Sequence, residues 1–251
     1  MKYVRFEQND KEFYGVLDGE KIRILDRSYF EGGKETGETA SCKDVKLLAP
    51  AVFSKALCIG LNYRDHAEEF KLPLPEKPVV FMKASTAILD PFGKIHYPKD
   101  MSEHLDYEGE LTVVISRKCR SVSVEEAADY ILGYTIANDV TARDLQPKNG
   151  QWTVAKGFDT FCPVGPYIET EADPGNLELT TKVNGVVKQH SNTRNLIFPV
   201  PYLVSYLSHV MTLNAGDIIL TGTPSGISRL ESGDVVEISI EKLGTLVNTV
   251  D

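Results

Sequence analysis

The stretch Glu103–Ser116, EHLDYEGELTVVIS, decides how this chain is read. It sets Glu108 and Glu110 two residues apart, directly ahead of the run Leu111–Ile115. Along an extended strand, residues i and i+2 point to one side, so the two carboxylates share a face. The run LTVVI has the composition of a strand buried on both faces, which puts Glu110 at the rim of the core rather than in open solvent. An isolated E-x-E is usually a solvated strand end, and the buried run argues against that here. Carboxylates this close both stay ionised only with positive charge between them.

A third acid, Asp139, closes another strand-like segment, ILGYTIANDVTARD. Carboxylates at strand mouths can converge in a pocket, and three such oxygen donors suit a hard cation such as Mg²⁺ or Mn²⁺. His96 and His104 have no cysteine partner at zinc-site spacing, and both read as satisfied or solvated histidines.

Working outward, residues 1–48 alternate apolar and polar in short pieces (KYVRFEQ, EFYGVLDG, EKIRILD) and read as a small β-rich N-terminal domain. EGGKETGETA, residues 31–40, reads as a loop. A boundary near Pro50 leaves residues 49–251 as a second, larger domain. That part is mostly β (α+β), with strand-like runs such as PVVFMK, PVGPYIE, LELTTKV and DVVEISI, and an Asn184-Gly185 hairpin turn. Helices are expected in SVEEAADYILGY, where Ser123 and Glu126 form a capping box, and in VPYLVSYLSHVM.

Hydrophobic content of 42% and 25% charged residues are ordinary for a globular chain of 251 residues. A formal charge of −9 argues against a nucleic-acid partner. No apolar run approaches the roughly 20 residues that span a bilayer. The start is charged and unlike a signal peptide, and the four cysteines are scattered without a CxxC pair. The expectation is a cytoplasmic protein with free thiols.

Five blocks carry a resemblance: CIGLNYRDHAEEF, DYEGELTVVIS, GYTIANDVTARDLQ, WTVAKGFDTFCPVGP and NTRNLIFPVPYLVSYLSHVMTLNAGDIILTGTPSGI. In this order, over about residues 48 to 240, the chain closely resembles the fumarylacetoacetate hydrolase family. The resemblance implies a mixed β-roll/β-sandwich catalytic domain, a homodimer, and a divalent metal held by Glu108, Glu110 and Asp139. It points to Lys156 as a lysine near metal and substrate, and to Arg143 and Gln146 as substrate-contacting, with Lys83 a further candidate. An ion pair of Arg143 with Asp144 or Asp139 is the plainer alternative. Thr221–Gly226, TGTPSG, is expected to cradle a carboxylate or oxyanion through Gly222 and Thr223.

In NYRDHAEEF, His66 and Glu69 lie three apart, on one side of a helix, where a carboxylate would orient the imidazole as a base. They resemble the water-activating dyad of family members that cleave C–C bonds. The Pro-rich KLPLPEKP that follows is expected to order over the substrate as a lid. Where relatives commonly carry proline after the FMK lysine, this chain has Ala84, and a relaxed loop with altered substrate fit is expected.

The implied activity is hydrolysis of a C–C bond in a short 2,4-dioxo acid of acylpyruvate or fumarylpyruvate type, through a metal-bound enolate. Oxaloacetate decarboxylation and isomerisation of a hydroxymuconate-type diacid would use the same intermediate. A non-catalytic metal-stabilised binding protein is the alternative of another class.

Overall fold

The computed structural model describes residues 1–251 and is mostly β. The N-terminal strands are β1 (Lys2–Gln8), β2 (Lys11–Asp18), β3 (Lys21–Leu25), β4 (Glu35–Ser41) and β5 (Lys46–Leu48). Then come β6 (Ala56–Gly60), helix α1 (Arg64–Glu69) and β7 (Val79–Lys83), followed by the short pieces β8 (Ile88–Leu89), β9 (Lys94–Ile95) and β10 (Leu105–Asp106). The central part holds β11 (Gly109–Ile115), β12 (Ile131–Asn138), β13 (Thr141–Ala142), α2 (Thr153–Lys156) and β14 (Cys162–Glu169). Last come β15 (Glu178–Val183), β16 (Val186–Asn192), α3 (Val200–Val210), β17 (Ile218–Leu220), β18 (Arg229–Leu230), β19 (Val235–Ile240) and β20 (Gly244–Val250).

One large sheet runs in the order β4-β3-β2-β1-β14-β12-β11-β17-β6-β7, with β5 on β1 and β8 on β14. The N-terminal strands therefore join the rest of the large sheet through β1, whose Lys2 and Tyr3 pair with Glu169 and Ile168. A five-stranded sheet, β16-β15-β19-β20-β9, covers its face, and the main core fills the space between. β11 is central and buried along its whole length, as its unbroken apolar run requires. Asn184 and Gly185 both take positive φ, the condition for a tight type I′ turn between β15 and β16. α3 forms where the apolar spacing places it, burying Val200, Leu203, Val204 and Leu207.

Two local readings differ. Residues 31–40 are not all loop: Glu35–Ser41 is the edge strand β4, paired with β3. An edge strand is held by its backbone and needs no apolar face, and exposed glutamates there suit its solvent position. The Ser123–Glu126 capping box does form, with reciprocal bonds of 3.0 and 3.3 Å. It closes the turn at residues 124–126, which leads only into a single 3₁₀ turn, Ala127–Tyr130, because Ile131 onward is drawn into pairing with β11 and β14. Gly133 is needed there, since a Cβ would lie 2.4 Å from the Glu169 carbonyl.

Candidate active site

The β11–β12 ladder sets Gly109 opposite Asn138 and Glu110 opposite Ala137, and the Asp139 N–H donates to the Glu108 carbonyl at 2.9 Å. Glu108 and Asp139 thus face each other at the end of the ladder, with Glu110 two rungs along, on the same side of β11 as Glu108. One carboxylate oxygen from each of the three lies within 4.8 Å of the others, and all three residues are buried.

Three cations surround them. Lys156 Nζ bridges Glu108 Oε2 at 2.9 Å and Asp139 Oδ2 at 2.8 Å. Arg143 binds Glu108 Oε1, Asp106 Oδ2 at 2.7 Å and Gln146 Oε1 at 2.5 Å. Its partners are therefore neither Asp144, which accepts from Ser102 and Glu103, nor Asp139. Lys83 lies beneath Asp139, donating to the Val140 and Lys156 carbonyls at 2.9 Å each and sitting 2.7 Å from Asp139 Oδ1. Two of its three N–H groups are spent on those carbonyls and its charge lies against buried Asp139, so Lys83 buttresses the site from within.

Burial alone would raise Glu108, but Lys156 and Arg143 hold it well below the usual carboxylate range. Glu110 goes the other way: burial, then repulsion from Asp139 and Glu108, pushes it well above that range. With Glu110 ionised, Asp106, Glu108, Glu110 and Asp139 outnumber Lys83, Arg143 and Lys156 by one, and the upward push on Glu110 reflects that excess. Asp139 Oδ1 is buried with no aligned hydrogen-bond donor, because Lys83 approaches it at an oblique angle. A buried acidic trio with one excess charge and an under-satisfied oxygen fits a hard divalent cation. Each oxygen that already accepts an N–H retains a second lone pair for an ion, so Lys156 need not leave to admit one.

α1 carries the candidate base. His66 Nδ1 lies 3.2 Å from Glu69 Oε2, and the ring is edge-on to Phe70 at 5.0 Å. An ionised carboxylate only accepts, so Nδ1 carries the proton and Nε2 the lone pair. Residues 71–78 leave α1 as an irregular, mostly exposed segment. A cavity of about 340 Å³ lined by Arg64, Ala67, Glu68, Lys71, Leu72 and Leu74 adjoins it. At 100° per residue Arg64, Ala67 and Glu68 lie on the opposite side of α1 from His66 and Glu69, so that cavity faces away from the His66–Glu69 pair. Ala84 has φ −61°, the angle a proline would impose, so the loop after Lys83 keeps the path a proline would give it.

The Thr221–Gly226 loop joins the two halves. The Gly222 N–H donates to Glu110 Oε2 at 2.7 Å, and the Gly226 N–H reaches Glu69 Oε1 at 3.2 Å. The anion this loop holds is thus the protein's own carboxylate at either end. The Thr223 hydroxyl spends its proton on the Gly109 carbonyl at 3.0 Å.

Asp106 and Gln189 belong to this constellation and were not singled out from the sequence. Asp106, buried, links Arg143 to His104 Nε2 at 2.9 Å. Its position two residues before Glu108 was a readable signal. Gln189 comes from a distant hairpin and had none.

The fumarylacetoacetate (FAA) hydrolase C-terminal family matches residues 55–251, and the Rv2993c-like N-terminal family matches residues 1–50. The 2,4-didehydro-3-deoxy-L-rhamnonate hydrolase of Sphingomonas sp. (strain SKA58) is 42% identical over 98% of this chain and 94% of its own. The mitochondrial oxaloacetate tautomerase of Xenopus laevis is 40% identical over 89% of this chain and 77% of its own. The crystal structure of 2-hydroxyhepta-2,4-diene-1,7-dioate isomerase from Mycobacterium marinum superposes with a TM-score of 0.92 at 46% identity, covering 100% of this chain and 98% of that one. With the family model spanning residues 55–251 and relatives aligned over nearly the whole chain, this chain belongs to the fumarylacetoacetate hydrolase family.

Proposed function

We propose that this protein is a divalent-cation-dependent hydrolase that cleaves a C–C bond in a short 2,4-dioxo acid of acylpyruvate type. The observation that carries the reading is that one six-residue loop binds both Glu110 of the acidic centre and Glu69 of the His66 pair. A base for water and a centre for a 2-oxo acid are therefore held in fixed relation. Glu108, Glu110 and Asp139 would hold Mg²⁺ or Mn²⁺, which when bound supplies Lewis acidity toward the substrate's oxygens. The divalent charge turns the local excess from one negative to one positive, which suits a substrate carboxylate. By family resemblance the working form is a homodimer.

The chain's own groups then divide the work. His66 Nε2, with Nδ1 tied to Glu69, takes a proton from water as its oxygen adds to the distal carbonyl carbon. The bond from that carbon to the methylene breaks, and its electron pair stays with the pyruvate fragment as an enolate. The proton held on His66 returns to the methylene carbon, giving a carboxylic acid and pyruvate. Lys156 has two N–H groups on Glu108 and Asp139 and a third free to meet developing negative charge. Arg143 has three of its five N–H groups engaged and keeps two for a substrate oxygen.

A second reading, proton shuttling on a 2-oxo diacid as in an isomerase or tautomerase, draws support from the relatives of those names. It uses the same enolate without adding water. The test is turnover of a panel of acylpyruvates and keto–enol diacids with Mg²⁺ or Mn²⁺ against chelator. Hydrolysis that needs the cation is expected. Turnover indifferent to chelator contradicts the reading, and no turnover of any short dioxo acid favours a cation-stabilised binding protein.

A further inference from the structure

We propose that Gln189 is a positioning residue for the acidic centre, locking the peptide between Glu108 and Glu110 to the loop that also holds Glu69. The inference rests on the cation reading above and adds a residue to it.

Gln189 lies on β16, in the covering sheet rather than in the sheet that carries the acids, and is fully buried. A glutamine amide offers two acceptor sites and two N–H donors, and here all four are used. Oε1 accepts from the Gly109 N–H at 3.1 Å and from Thr181 Oγ1 at 2.7 Å. Nε2 donates to Thr223 Oγ1 at 2.8 Å and to the Pro224 carbonyl at 2.9 Å. The amide orientation is fixed by chemistry, since a backbone N–H only donates and a prolyl carbonyl only accepts.

Thr223 passes its own proton to the Gly109 carbonyl, which closes a ring around the one residue separating the two glutamates. Gly109 has no room for a side chain: a Cβ would lie 2.5 Å from Thr181 Oγ1 and 3.2 Å from Gln189 Oε1. The loop's other end is pressed on the same strand, where a Cβ on Gly226 would stand 2.1 Å from the Lys188 carbonyl and 3.3 Å from Gln189 Cα. The bonds from Gly222 to Glu110 and from Gly226 to Glu69 therefore both depart from a segment that Gln189 anchors at its middle. A buried amide that served folding alone could satisfy itself anywhere in the core. This one spends every bond within the contact of β11 and Thr221–Gly226 with the covering sheet. Partners behind a ligand shell commonly contribute about 10–100-fold to metal affinity.

The test compares wild type with Gln189→Met, which keeps the side chain's length and removes its polar atoms, and with Thr223→Val, which opens the ring while leaving Gln189 in place. Mn²⁺ affinity is read by calorimetry, and exchange of the Gly109 and Gly226 amide hydrogens by NMR in chelated protein. Gln189→Met should bind Mn²⁺ about 10–100-fold more weakly, with faster exchange at both glycines, and Thr223→Val should move both readouts in the same direction. Wild-type affinity in either folded variant, or unchanged exchange, overturns the proposal. If near-UV circular dichroism shows Gln189→Met unfolded, Thr223→Val decides on the same criteria. A wild-type protein that takes up no Mn²⁺ overturns the cation reading, and the exchange measurements then decide whether Gln189 holds the loop.

Discussion

Replacing Glu110 with glutamine should have opposite effects with and without cation. Glu110 is buried against Glu108 and Asp139 and accepts the Gly222 N–H through Oε2. Glutamine keeps the shape and the acceptor for Gly222 but removes one of three crowded anions. Without cation, the variant should be as stable as wild type or more stable by about 1 kcal/mol, since replacing a strained buried charge is often neutral or favourable. With cation at a hundredfold excess over Kd, wild type gains about 3 kcal/mol. For a chain of this length that is about 5–10 °C in Tm. Losing one anionic ligand at about 3 kcal/mol weakens binding more than a hundredfold, so at the same concentration the variant should gain about 1 °C or less. Thermal melts of both proteins in chelator, Mg²⁺ and Mn²⁺ check this. A variant that keeps the cation-induced rise, or melts far below wild type in chelator, would refute the electrostatic account of the trio.

Other outcomes follow from the same geometry. His66→Ala should lower acylpyruvate hydrolysis by about 10²–10⁴-fold, with at most a modest fall in Tm from the lost Glu69 and Phe70 contacts. Steady-state kinetics beside a melt read both, and wild-type hydrolysis would remove His66 from the reaction. Asp106→Asn should loosen Arg143 and cost about 1–3 kcal/mol of stability in denaturant titrations while weakening Mn²⁺ binding, because the site gains positive charge. At alkaline pH, burial pushes Cys162 from 9.0 up to about 12, and burial followed by the nearby Asp173 pushes Tyr134 from 10.0 to about 12. Both groups are raised in the folded state, so the stability they supply is complete below about pH 9 and is lost as pH rises toward 12. Cys162→Ala should flatten that alkaline limb in melts run across the range, and an unchanged limb would count against the buried thiol as its source.

What the sequence made legible was whatever depends on neighbours along the chain. The i, i+2 spacing of Glu108 and Glu110, the buried run after them and the Asn184-Gly185 turn are local, and the fold keeps all three. The His66–Glu69 contact is also local, because one helical turn brings positions three apart together. The Ser123 capping box was read correctly as a motif yet overestimated as a helix, since strand pairing of Ile131–Asn138 prevailed over the local preference. The polar strand β4 was invisible because an edge strand is held by backbone bonds that side chains do not announce. Partner choice was least legible. Lys83 turns inward to carbonyls, Arg143 selects Asp106 rather than its neighbour Asp144, and Gly222 cradles a protein carboxylate. Each depends on which strand lies beside which, as does the arrival of Gln189 from a separate sheet.

The central claim is that Glu108, Glu110 and Asp139 together hold one divalent ion. A crystal grown with Mn²⁺ and measured at a wavelength where manganese scatters anomalously tests it directly. The account predicts a single strong peak at coordination distance from an oxygen of all three residues, absent from crystals of Glu110→Gln. A difference map with no peak among them, or a peak elsewhere with Lys156 alone bridging Glu108 and Asp139, would contradict it.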